Sequence, residues 1–136
     1  MATRALPTVT IEPDMGTVWV DLTFPNTVLF CTYKLQLREE DSNELIPGYD
    51  GIYGDNENSE DDIHSLPAPA SDNDGRVLWA MFTVIDQTGD GGKYTIVLKV
   101  RQGGKIIYTK KIGPKNIKED FDLASILLKF ELAEED

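Results

Sequence analysis

Between Val28 and Leu37 every odd position is apolar or aromatic: Leu29, Cys31, Tyr33, Leu35 and Leu37. Successive side chains of an extended strand point to opposite faces, so a period of two over ten residues demands a strand with one face on a core. The same rhythm recurs along the chain. Thr8 to Ile11 reads as a first strand, ended by Glu12-Pro13-Asp14-Met15-Gly16. Val18, Val20, Leu22 and Phe24 alternate with Trp19, Asp21 and Thr23, and Pro25-Asn26 closes that run. Tyr94, Ile96, Leu98 and Val100 point inward, Gln102-Gly103-Gly104 marks a tight hairpin, and Ile106 to Ile112 returns until Gly113-Pro114. The run Val77 to Ile85 differs, being apolar on both parities, as expected of a central strand covered on two sides. The turn cluster Asp86 to Gly92 follows it.

Two segments break the pattern. Glu39 to Gly75 is polar, with Pro47-Gly48, Asp50-Gly51 and Pro67-Ala68-Pro69, and has little apolar content to order it by burial. It is expected as a long acidic, partly mobile loop over 39–75, with Gly51-Ile52-Tyr53 as a short edge strand. Near the C-terminus, Ile126, Leu128, Phe130 and Leu132 fit a strand, while Phe121, Ala124, Leu128 and Leu132 share a helical face. The expectation is a helical turn at 118–122 followed by a closing strand. The chain of 136 residues is thus read as a single all-β domain over 1–136, an antiparallel two-sheet β-sandwich of about seven strands.

The charge is segregated. The net charge is −11, from 24 acidic and 13 basic residues. Glu39 to Asp74 contains no Lys or Arg, whereas Lys93 to Lys118 contains no Asp or Glu. Such a division steers a partner or stacks identical molecules, unless the two segments lie side by side and neutralise each other. The strong negative balance argues against nucleic acid and against anionic membranes. No run approaches the ~18 apolar residues of a spanning helix, so membrane insertion is not expected. The single cysteine excludes an intrachain disulfide, and the first residues lack an apolar signal region. A cytoplasmic setting is therefore expected, with secretion left open for a processed fragment.

Asp90-Gly91-Gly92-Lys93-Tyr94-Thr95-Ile96-Val97-Leu98-Lys99-Val100 resembles the corner before the penultimate strand of immunoglobulin-like and fibronectin-type domains. The resemblance spans about a dozen residues and implies a Tyr94 hydroxyl tied back to the preceding turn. It also implies that Trp79 or Trp19 supplies the aromatic core, and that function lies in loops and edges.

The chemistry on offer is sparse. Cys31 falls on the core parity and reads as a buried, inert thiol, and His64 reads as a solvated loop histidine. Asp62, His64 and Ser65 are too close in sequence to converge as a triad. Zinc lacks ligands. Calcium is the one small ligand the composition favours, with Asp50, Asp55, Glu57, Asp61, Asp62, Asp72 and Asp74 as candidate oxygen donors. Ala70 to Gly75 departs from the EF-hand pattern at Ala70 and Met81, and Asp86 with Asp90-Gly91 matches only in part. Lys99, Arg101, Lys105, Lys110 and Lys111 are the candidate partner-binding basic face. The expected function is a non-catalytic binding or assembly module contacting a protein partner, or copies of itself, through the charged loop and strand edges. The alternatives are a calcium-dependent ligand- or carbohydrate-binding domain and a small acidic inhibitor of the immunity type.

Overall fold

The computed structural model describes residues 6–57 and 62–134. Among these residues nine strands form two packed sheets: β1 (Thr8–Ile11), β2 (Trp19–Thr23), β3 (Phe30–Arg38), β4 (Ile52–Asp55), β5 (Asp62–Ser65), β6 (Val77–Ile85), β7 (Lys93–Gln102), β8 (Lys105–Asn116) and β9 (Phe121–Leu132). One sheet has the order β1-β9-β6-β3-β4 and the other β5-β2-β7-β8. The protein is therefore a β-sandwich, and no described helix is long and apolar enough to cross a membrane. All neighbours pair antiparallel except β1, which runs parallel to β9.

The core follows the alternation. Leu29, Cys31, Tyr33, Leu35 and Leu37 are all buried, as are Tyr94, Ile96, Leu98 and Val100 from the facing sheet. The hairpin between β7 and β8 turns at Gly103 and Gly104, with φ of 60° and 77°. A two-residue turn that matches strand twist needs positive φ at both positions, which glycine adopts without penalty. Gln102, buried before that turn, donates from Nε2 to the carbonyls of Glu12 and Gly16 and accepts from the Glu12 N–H. One side chain thus satisfies the backbone of the β1–β2 connection.

Several expectations need correction. The segment 39–75 is not one unbroken loop: it holds β4, β5 and a 3-10 turn at Ala70–Asn73, together 12 of its 33 described residues. Ile46, Leu66 and Ala70 anchor it in the core, and buried Asn73 donates to the Pro67 carbonyl. A few well-placed apolar residues thus order a segment whose average polarity predicts a loop. The proposed edge strand at Ile52 and Tyr53 is present as part of β4.

At 118–122 no helical turn forms, and β9 is a strand from Phe121 onward. Ile126, Leu128 and Phe130 alternate into the core between β6 and β1, and this pairing outweighs helix propensity. Nor does Gly113-Pro114 end β8. Lys115 and Asn116 still pair with Tyr94 and Lys93 after a register shift, and an edge strand tolerates proline.

The tryptophans do not fill the core: Trp19 is 40% exposed and Trp79 is half-buried on an outer face. Phe82, Phe130, Tyr94 and Tyr33 fill it instead. The Tyr94 hydroxyl donates to Asp122 of β9 at 3.0 Å, crossing to the other sheet instead of closing the preceding turn.

Candidate functional site

On β6 the side chains of Leu78, Ala80, Phe82 and Val84 are buried, while Val77, Trp79, Met81, Thr83 and Ile85 point to the opposite face and are half-buried. The second cover expected from the sequence is not supplied by the described chain. Cross-strand partners share a face, so the register shows what surrounds them. Trp79 pairs with Leu127, Thr83 with Leu123 and Ile85 with Phe121 on β9, while Met81 pairs with Lys34 on β3, which pairs with Tyr53 on β4. Phe121, Leu123 and Tyr53 are exposed by 53%, 73% and 71%. The outer face of the five-stranded sheet thus carries an apolar patch around Trp79, Met81, Leu123 and Leu127, while the same register sets Thr32, Lys34, Gln36 and Arg38 of β3 and Thr8 and Thr10 of β1 on it.

Grooves cross this face. One of about 530 Å³ lies between β4 and β6, lined by Lys34, Tyr53, Asp55, Met81 and Thr83. A second of about 460 Å³ lies between Trp79, Met81, Leu123 and Ser125. A third of about 340 Å³ lies where Leu6, Trp79 and Leu127 meet Glu39 and Glu40. The Trp79 indole Nε1 is buried and has no hydrogen-bond partner among the described residues. Lys34 stands over the Tyr53 ring, with Nζ 5.6 Å from its centre. At the rim, Arg76 pairs with Glu39 at 3.1 Å and Lys129 pairs with Glu40.

The predicted basic residues do not form one face. Lys99 of β7 pairs with Asp21 and Thr109, and Lys111 with Val97, which places both on the outer face of the four-stranded sheet. Arg101 shares that face but is engaged within the chain. Its Nε lies 2.6 Å from Asp21 Oδ2, and its Nη2 donates to Asp21 Oδ1 at 3.1 Å. Asp21 is buried, so this guanidinium neutralises an interior charge. Lys105 and Lys110 lie opposite the buried Gln102 and Leu98, on the core side of the sheet, but β8 is the outermost strand and both are exposed.

The candidate calcium donors are also dispersed. Asp50 is exposed before β4, and Asp55 and Glu57 sit together at its end, where Asp55 Oδ1 accepts from the Glu57 N–H. Asp62 begins β5. Asp72 and Asp74 lie on the approach to β6, and Asp74 Oδ1 accepts from the Leu132 N–H. Asp61 lies outside the described residues. Among the described residues no three His, Cys, Asp or Glu side chains converge as metal ligands.

His64 differs most from its expectation. It lies in β5 opposite Val20 and points inward, with Nε2 2.7 Å from the hydroxyl of Tyr33. Burial lowers its pKa, against the charges of Asp62 and Asp21. Burial raises the Tyr33 pKa, assisted by the Asp62 carboxylate. Both groups are held neutral near pH 7, and their rings pack edge to face at 5.7 Å. Tyr33 and His64 are 31 residues apart, and no local pattern could have joined them. Cys31 is fully buried, and desolvation pushes its thiol up to about 12.

The fold and these surfaces define a β-sandwich whose five-stranded sheet bears an apolar patch around Trp79 and Leu127 with no second layer over it among the described residues. No family model, curated protein or solved structure matches the chain.

Proposed function

We propose that the protein is a non-catalytic binding module, and that it holds a protein partner against the outer face of the five-stranded sheet. The observation that carries this reading is the double-sided apolar pattern of β6, with Trp79 and Met81 on the uncovered side and Leu123 and Leu127 beside them on β9. A broad apolar patch on a soluble domain is costly to leave in water, and patches of this kind mark interaction sites. The partner surface that fits has an apolar centre to fill the grooves and a polar rim, because Lys34, Arg38, Asp55 and the paired Glu39 and Glu40 border the face. This moves the expected contact from the charged loop to a sheet face.

The finer, immunoglobulin-like reading of the fold is supported by β3, β6 and β9 sharing one sheet while β2 and β7 share the other. The β7–β8 hairpin inserted before the last strand, and the Tyr94 bond to Asp122, depart from that plan. Calcium is not part of the proposal, since the described carboxylates do not converge.

The test is photo-crosslinking in the cells that make the protein. A photoreactive residue replaces Leu123, with Lys118 as a control position. A protein captured from Leu123 and not from Lys118 is then purified and titrated against the wild type and against Leu123→Asp with Leu127→Asp. Binding weakened more than tenfold by the pair, with unchanged circular dichroism, supports the reading. Equal binding by the variant, or no capture from Leu123, overturns it.

A further inference from the structure

Part of each charged segment lies on an opposite edge of the fold. β5 and β8 are the outermost strands of the four-stranded sheet, separated by β2 and β7. β1 packs against β8, while His64 of β5 reaches Tyr33 beside β4, so β8 and β1 share one edge of the sandwich and β4 and β5 share the other. The first edge exposes Lys105, Lys110, Lys111 and Lys115; the second carries Asp50, Asp55, Glu57 and Asp62. Among the described residues none of these eight takes part in an ion pair within the chain.

From these edges we propose that the chain binds a second copy of itself edge to edge, the β8 side of one against the β4–β5 side of the next. Strand direction permits this for both sheets at once. Three antiparallel steps lead from β5 to β8, so the two run in opposite directions. One parallel and three antiparallel steps lead from β1 to β4, which are likewise opposed. A copy shifted sideways without rotation therefore sets β5 antiparallel to β8 and β4 antiparallel to β1, continuing both sheets.

Lysines on an edge strand ordinarily block pairing, and here they repel a second β8. The same charges attract the acidic edge, so the wrong pairing is disfavoured and the head-to-tail one favoured. Such a contact uses two different surfaces, and a shift without rotation never closes on itself, so it builds an open filament, not a closed two-fold dimer.

Sedimentation of the full chain tests this. At low salt the mass should rise with concentration past that of a dimer, and in about 1 M salt, where screening acts within ~3 Å, it should return to the monomer. Lys110→Glu with Lys111→Glu should weaken self-association at least tenfold, and so should Asp55→Lys with Glu57→Lys. Mixing the two variants should restore assembly, which neither misfolding nor a general charge effect would do. A monomer at every low-salt concentration, or assembly indifferent to salt and to both reversals, overturns the proposal. Self-association lost with Leu123→Asp and Leu127→Asp but retained in salt would also overturn it, by assigning the contact to the apolar face.

Discussion

Gly54 offers a sharp test of how the two sheets are held together. It lies on β4 directly opposite Tyr33, and a Cβ there would come well inside van der Waals contact with the Tyr33 Cζ and hydroxyl oxygen. That ring cannot swing aside freely. It is 3% exposed, it packs against Phe24 and Phe82 with ring centres 6.2 Å and 6.3 Å away, and its hydroxyl is bonded to His64. Gly54→Ala should therefore cost about 1–3 kcal/mol for overpacking. If the ring yields, about 1 kcal/mol more is lost with the His64 hydrogen bond. The sum, about 2–4 kcal/mol, should lower Tm by roughly 10 °C in a domain of this size.

The mechanism is checked by a double-mutant cycle in urea. Tyr33→Ala alone should cost about 3–5 kcal/mol through the cavity it leaves. On that background Gly54→Ala should be neutral, or stabilising by about 0.5–1 kcal/mol, because alanine suits a strand better than glycine once the ring is gone. A coupling energy of at least ~2 kcal/mol is therefore expected. The same penalty for Gly54→Ala with and without the tyrosine ring would refute the reasoning.

Two further predictions concern buried titratable groups. Cys31, with its thiol pushed up to about 12 by burial, should not react with an aromatic disulfide reagent in the native state, yet should react fully in denaturant. Labelling of folded protein at the rate of a free thiol would contradict its placement. His64 has a folded pKa lowered by burial, so the unfolded chain binds the proton more readily. The stability this neutral histidine contributes is complete above its unfolded value near 6.5 and is lost as pH falls from there through the lower folded value. Urea midpoints of wild type and His64→Gln should accordingly converge or cross between pH 7.5 and pH 5; parallel curves would argue against it.

Much of the sandwich is legible in the residues because parity is a local property. Whether Leu35 or Lys34 faces inward depends only on which position of an alternating run it holds, and the structure follows that alternation along β3, β6 and β7. What parity cannot encode is which strand lies beside which. The parallel β1–β9 pair, the reach of Tyr94 to Asp122 and the meeting of Tyr33 with His64 all depend on sheet order. For the same reason the basic segment could be seen as a run of lysines but not as an edge. The acidic segment misled because its average polarity hides Ile46, Leu66 and Ala70, whose burial fixes it.

The double-sided run Val77 to Ile85 carries the larger lesson. An apolar residue on both parities states that both faces of a strand are to be kept from water, and the sequence cannot say by what. Within the chain, the facing sheet covers Leu78, Ala80, Phe82 and Val84. Long neighbours such as Lys34 and Tyr53 shade Met81 only in part. If these side chains serve only a partner, polar replacement of the exposed Leu123 should cost the fold no more than about 0.5 kcal/mol, whereas half-buried Trp79 and Met81 also pack within the sheet. Trp79, Met81, Leu123 and Leu127 lie together beside a tryptophan N–H with no acceptor among the described residues, and the partner proposed above is the surface that would complete the second cover. The two proposed contacts are therefore separate at the β8 edge but meet at β4, where Asp55 borders both the sheet face and the acidic edge.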